Sequence, residues 1–165
     1  LVAGVGLGTF YDYFDSKDDL ARTCVHLRTK ALLQALRRRR IELAGRPLDE
    51  SLAGAIDSQL AMIGRAPNEW AQHFLLERQK TDLKYYLAAY ELFVEEWRKL
   101  AAGAADWPAG VDAERPVRLA FTLIYGTMAH ELMRTGARID IARLRRELCD
   151  AALACLAPHA ARGSI

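Results

Sequence analysis

The chain has 165 residues, of which 52% are hydrophobic and 27% charged. That is the composition of one globular domain, with room for a fragment of a second, and it excludes a disordered polymer. A formal net charge of +2 excludes a protein that coats nucleic acid by bulk charge. The charge is uneven, however: residues 1–46 hold 9 Lys and Arg against 5 Asp and Glu, and residues 47–165 hold 14 against 16. The basic share therefore sits in the first quarter, where a polyanion partner is expected. No run approaches the ~18 consecutive apolar residues of a membrane span. No charged segment followed by an apolar one suggests a signal peptide. Cys24, Cys149 and Cys155 are odd in number and match no metal-binding spacing. They fit buried thiols in a reducing cytoplasm, so a cytoplasmic protein without membrane contact is expected.

The first segment, Leu1–Asp15, is short and carries Gly4, Gly6 and Gly8. Ser16 and Asp19 then mark a helix start, with an acidic first turn suited to the helix dipole. Leu20, Cys24, Leu27, Ala31, Ala35 and Leu36 give this helix an apolar stripe, and Gly45 and Pro47 end it near Ala44. Asp49 is expected to cap a second helix with the stripe Leu52, Ile56, Leu60 and Ile63, with Gln59 on the same side. A third helix starts at Pro67, a favoured first-turn residue, and carries Trp70, Phe74 and Leu75. A break near Thr81 and Asp82 opens a fourth, whose stripe Tyr86, Tyr90, Phe93 and Trp97 is aromatic. The longest loop covers 103–113. A fifth helix from Glu114 is apolar on nearly every face between Leu119 and Met133, so it is expected to be buried on more than one side. A sixth, about Ile139–Leu156, carries Ile141, Leu144, Leu148, Ala152 and Cys155 and is expected to stop before Pro158. No segment alternates like a strand, so the fold class is all-α.

The most specific residues come first in the chain: Ala3, Gly4, Val5, Gly8, Thr9, Tyr11, Tyr13, Phe14, Lys17 and Leu20. A small residue, a glycine and a β-branched residue make a tight helix–turn–helix corner. Phe10 and Phe14, spaced i and i+4, turn one face of the following short helix inward. Thr9, Tyr11, Asp12 and Tyr13 then point largely away, and the hydroxyl-bearing Thr9, Tyr11 and Tyr13 beside Lys17 suit phosphate oxygens. This stretch resembles the end of the DNA-binding domain of the TetR/AcrR family of transcriptional regulators, whose pattern reads A-G-V-S-x-G-T-x-Y-x-Y-F-x-x-K-x-x-L. Two positions depart from it. Gly6 replaces the serine that caps the recognition helix, and the apolar Leu7 follows where a polar residue is usual. Glycine is a weaker cap, and leucine could meet a thymine methyl. The resemblance implies that the family's first helix and most of its second precede Leu1. Residues 1–18 would be the end of a helix-turn-helix domain and 19–165 a helical regulatory, ligand-binding and dimerisation domain. The DNA contacts it implies are Gly6, Leu7, Thr9, Tyr11, Asp12, Tyr13 and Lys17.

Further expectations concern the bundle. The aromatics Trp70, Phe74, Tyr86, Tyr90, Phe93, Trp97 and Tyr125, with Met62, Met128 and Gln59 as a polar anchor, are candidates to line a small-molecule pocket. Gln59, His73 and His130 sit on apolar faces, where a buried polar group needs a partner. Arg37, Arg38, Arg39 and Arg40 read as a solvated run suited to a helix C-terminus. Ala120, Ile124, Thr127 and His130 on the fifth helix and Leu144, Leu148, Ala152 and Cys155 on the sixth are the candidate homodimer contact. No two-His metal motif, Ser-His-Asp set or P-loop is present, so neither an enzyme nor a metal or organic cofactor is expected. The function expected is a ligand-responsive, DNA-binding regulator, a repressor released from a palindromic operator by a small, largely apolar effector. The alternative is a helical dimer that binds partners or sequesters a ligand without an operator.

Overall fold

The structure, a computed structural model, describes residues 14–161. Among them are six α-helices and no strand: α1 (Lys17–Glu42), α2 (Leu48–Ile63), α3 (Pro67–Lys80), α4 (Leu83–Ala102), α5 (Glu114–Thr135) and α6 (Ile141–Ala160). A single 3₁₀ turn, Gly136–Arg138, joins the last two. The all-α class stands as expected.

Local chemistry accounts for most of the ends. Ser16 Oγ accepts from Asp19 N at 3.1 Å and caps α1. Asp82 caps α4 and Asp140 caps α6 in the same way. At α2 the cap is not local. Asp49 lies inside the helix, where its carboxylate accepts only from Glu50 N. Asp106, from the long loop, instead accepts from Leu48 N at 2.7 Å. The last helix does not stop before Pro158 but runs to Ala160. Within a final turn, proline removes one hydrogen bond, to the carbonyl of Ala154, a residue exposed to solvent.

The α1 stripe lies one position away from the expected one. Val25, Thr29, Leu32, Leu33 and Leu36 are buried, whereas Cys24 and Leu27 are exposed. Cys24 is thus not a buried thiol, and Cys149 and Cys155 are only half-buried. α2 buries its whole expected stripe against α1 and α6. α5 packs against α3, α4 and α6, and its inner face holds Val117, Ala120, Phe121, Ile124, Met128, Ala129 and Leu132. Its outer face keeps Leu119 and Leu123 in solvent, so α5 is less enclosed than its composition suggests. One continuous core joins all six helices.

Candidate functional site

α1, α3, α4 and α5 enclose a chamber walled by aromatic rings. Phe74 meets Tyr125 edge to face at 5.6 Å between centroids, and Phe93 stacks on Phe121 at 5.6 Å. Tyr90 leans on Phe121, and Tyr86 on Tyr125. The space left is divided in two. One part, of about 30 Å³, touches Gln59, Phe74, Trp97 and Met128; the other, of about 20 Å³, touches Tyr86 and Tyr90. Thr29, Glu77, Phe93, Phe121 and Tyr125 border both. Each part holds about one water-sized group, so the rings must separate before a larger molecule enters.

Of the residues the sequence suggested, Gln59, Phe74, Tyr86, Tyr90, Phe93, Trp97, Tyr125 and Met128 are brought together here. Trp70 and Met62 are not. The Trp70 indole donates to the Met62 carbonyl at 3.1 Å behind the chamber, and the Arg28 guanidinium lies over its ring. Met62 lines an outer groove instead, with Arg38, Arg39 and Arg65.

Two of the chamber's four buried polar residues, Thr29 and Glu77, carry no sequence signal. Glu77 and Thr29 are buried in the chamber wall, as is His73, flagged only as a polar residue on an apolar face. Glu77 follows His73 at i+4, on the same face, but the Arg78 and Lys80 beside it give no sign of burial. Gln59 is satisfied: its amide donates to the Leu32 carbonyl at 3.2 Å. The Tyr125 hydroxyl donates to the Glu77 carboxyl. Thr29 Oγ1 and His73 Nδ1 are buried with no hydrogen-bond partner among the described residues. A buried polar atom left so costs about 1–3 kcal/mol.

Burial sets the protonation of this group. It pushes Glu77 up to about 7, against the opposing field of Arg78. It pushes His73 down to about 4, helped by Arg28. The Tyr86 hydroxyl is raised, by burial first and then by Glu77 and Tyr90. At neutral pH His73 is neutral and Glu77 is poised between its two forms.

The DNA-contact candidates Gly6, Leu7, Thr9, Tyr11, Asp12 and Tyr13 lie outside the described residues. Lys17 is exposed on the first turn of α1. The dimer candidates divide. Ala120, Ile124, Leu144, Leu148 and Ala152 face the chain's own core and are buried, so they are not a free surface. The expected stripe is the one that holds α5 and α6 to the rest of the bundle. Cys155 is half-buried, and Thr127 and His130 are exposed, the His130 Nδ1 lying 2.7 Å from the Gly126 carbonyl. The outer line of α5 carries the exposed leucines Leu119 and Leu123 beside the polar Thr127, and Leu153 is the exposed leucine of α6.

The arginine run is not simply solvated. Arg37 Nε and Arg40 Nε donate to the two oxygens of buried Glu96, at 3.0 and 2.9 Å. Burial opposes the charge of Glu96, but these two bonds and the nearby Lys99 outweigh it and hold its pKa below the usual value.

Among the described residues no three His, Cys, Asp or Glu come together to hold a metal ion, and no helix is long and apolar enough to cross a membrane. Compared with known proteins, the chain matches no family model, no curated protein and no solved structure.

Proposed function

We propose that this chain is the effector-binding and dimerising part of a ligand-responsive, DNA-binding transcriptional regulator, most simply a repressor that leaves a palindromic operator when a small molecule enters the bundle. The observation that carries the reading is a juxtaposition along one helix. α1 begins at Lys17, the lysine of the Ala3–Leu20 pattern, and passes Thr29 and Leu32 through the wall of the aromatic chamber. An event in the chamber therefore acts on the helix that leaves the reading head. The thermodynamic requirement is that the effector bind the DNA-incompetent arrangement more tightly. Two reading heads on a two-fold axis fit two half-sites. The outer α5–α6 face, with Leu119, Leu123 and Leu153, is the surface a second copy would cover.

The test is selection of genomic DNA fragments by the natural full-length protein, followed by footprinting. Enrichment of a palindromic site is expected, with Lys17→Ala lowering affinity and reducing the salt slope by about 1. Retrieval of no preferred sequence would overturn the reading.

A further inference from the structure

A carboxylate is a costly group to bury beside aromatic rings unless a positive charge arrives to meet it. Glu77 is 8% exposed, borders both parts of the chamber, and receives one hydrogen bond, from Tyr125. No Lys, Arg or His nitrogen lies within 4.0 Å of its oxygens among the described residues. The rings of Tyr86, Tyr90, Phe93, Phe121 and Tyr125 line the space beside it. Thr29 Oγ1, on the facing helix, has no partner and can accept a hydrogen bond there.

From this geometry we infer that the Glu77 carboxylate seats the positively charged head of the effector, whose class is an aromatic or aliphatic amine, a small organic cation with an apolar body. The inference rests on the effector-chamber reading above and gives it a chemistry. An ammonium group finds an ion pair with Glu77, an acceptor in Thr29 Oγ1 and aromatic rings around it, whose π-systems attract cations. The spaces of about 30 and 20 Å³ match a head group, and the body enters as the rings part. The charged or titratable groups around Glu77 are Arg78 and His73 on α3, Arg28 on α1, Tyr86 and Tyr90 on α4, and Tyr125 and His130 on α5. Arg78 is exposed and engages His130 at 3.4 Å, so it leaves the chamber side of Glu77 open. Because burial holds Glu77 near 7, a bound cation releases a proton to solvent at lower pH.

The experiment measures binding of benzylamine and of the neutral, equally sized benzyl alcohol to the protein by ligand-observed NMR titration, with no DNA present. Benzylamine stays cationic across the range used. Its affinity is expected to exceed that of benzyl alcohol at pH 8 and to rise about tenfold from pH 6 to pH 8, as Glu77 ionises. Glu77→Gln should remove the pH dependence and the preference for the amine while leaving benzyl alcohol binding within about twofold. Tyr125→Phe keeps the ring and removes the bond to the ionised carboxylate, so the midpoint of the pH profile should move upward. Equal binding of the two probes, binding of neither, or a pH profile that both variants leave in place overturns the inference. Operator selection is a separate readout. A protein that selects an operator yet shows no preference for the amine loses only this inference, and one that prefers the amine but selects no DNA loses only the regulator reading.

Discussion

Lys80, the last residue of α3, reaches Asp18 in the first turn of α1, with Nζ 3.0 Å from Oδ1 and 3.1 Å from Oδ2. Glu77 lies one turn earlier on the same helix, in the chamber wall. α3 thus touches both the chamber and the helix turn that follows the glycine-rich motif. Both partners are substantially exposed, so the pair is a weak tether rather than a lock. A double-mutant cycle of Lys80→Ala and Asp18→Ala, read by urea denaturation, should give a coupling of about 0.2–1 kcal/mol that vanishes in high salt. A coupling that survives high salt would assign the contact a different character.

His73 and Glu77 should impose opposite pH dependences on stability. Glu77 is raised from 4.5 to about 7, so the folded state holds its proton more tightly and stability falls as pH rises through that window. His73 is lowered from 6.5 to about 4, so the unfolded state takes the proton first and stability rises as pH climbs from 4 to 6.5. At about 1.4 kcal/mol per pH unit each window amounts to about 3 kcal/mol, and in the natural sequence the two largely cancel. Denaturation curves from pH 4 to 8 should show His73→Asn losing stability with rising pH and Glu77→Gln gaining it. The same slope in both variants would contradict these assignments.

The two faces of α5 and α6 should separate folding from association. Leu148 is 1% exposed within the core, so Leu148→Ala should cost about 2–5 kcal/mol, and Leu148→Glu should unfold the chain. Leu123 is 43% exposed, so Leu123→Glu should change stability by no more than about 0.5 kcal/mol. Sedimentation velocity then reports the association: a dimer is expected for the unmodified protein and a folded monomer for Leu123→Glu. A dimer undisturbed by Leu123→Glu would move the interface off this face.

Gly136 ends α5 with φ at +54°, and a β-carbon there would stand 2.6 Å from Asn68 Oδ1. That same oxygen accepts from Ala137 N at 2.7 Å. Gly110 also has positive φ, at +79°, but has nothing within 4 Å of a β-carbon. Gly136→Ala should therefore cost about 1–3 kcal/mol and more than Gly110→Ala, since only the first adds a clash to the backbone strain. Equal thermal shifts would mean that Asn68 gives way freely.

Helix order and most ends were legible because they follow from local signals: Ser16, Pro67, Asp82, Gly136 and the 3.6-residue spacing of Leu52, Ile56, Leu60 and Ile63. What escaped was set by distant residues. Asp106 caps α2 from 58 positions away, and no local pattern announces it. The α1 stripe moved by one position because residues with similar apolar spacing, Leu20 and Leu27, run beside Val25 and Leu32, and only the packing of α2, α3 and α4 decides between them. Glu77 and Glu96 were invisible for a related reason. A carboxylate is assumed to face water until a particular set of neighbours encloses it, and those neighbours are Tyr125 for one and Arg37 with Arg40 for the other.

The double grip of Arg37 and Arg40 on Glu96 has a mechanical consequence. It pins α1 to α4 near the far end of a 26-residue helix. Sliding α1 by one turn, about 5.4 Å, would strip both guanidiniums from a buried carboxylate, so this grip opposes translation far more than pivoting. From Arg37 to Lys17 the arm is about 30 Å long. A tilt of about 5° around that fulcrum, too slight to break a contact near it, carries Lys17 sideways by about 3 Å. α1 is therefore gripped by a buried charge on one side of the chamber, while on the other its end is held only by exposed contacts, Lys80 with Asp18, Arg28 with Glu69 and His26 with Tyr85.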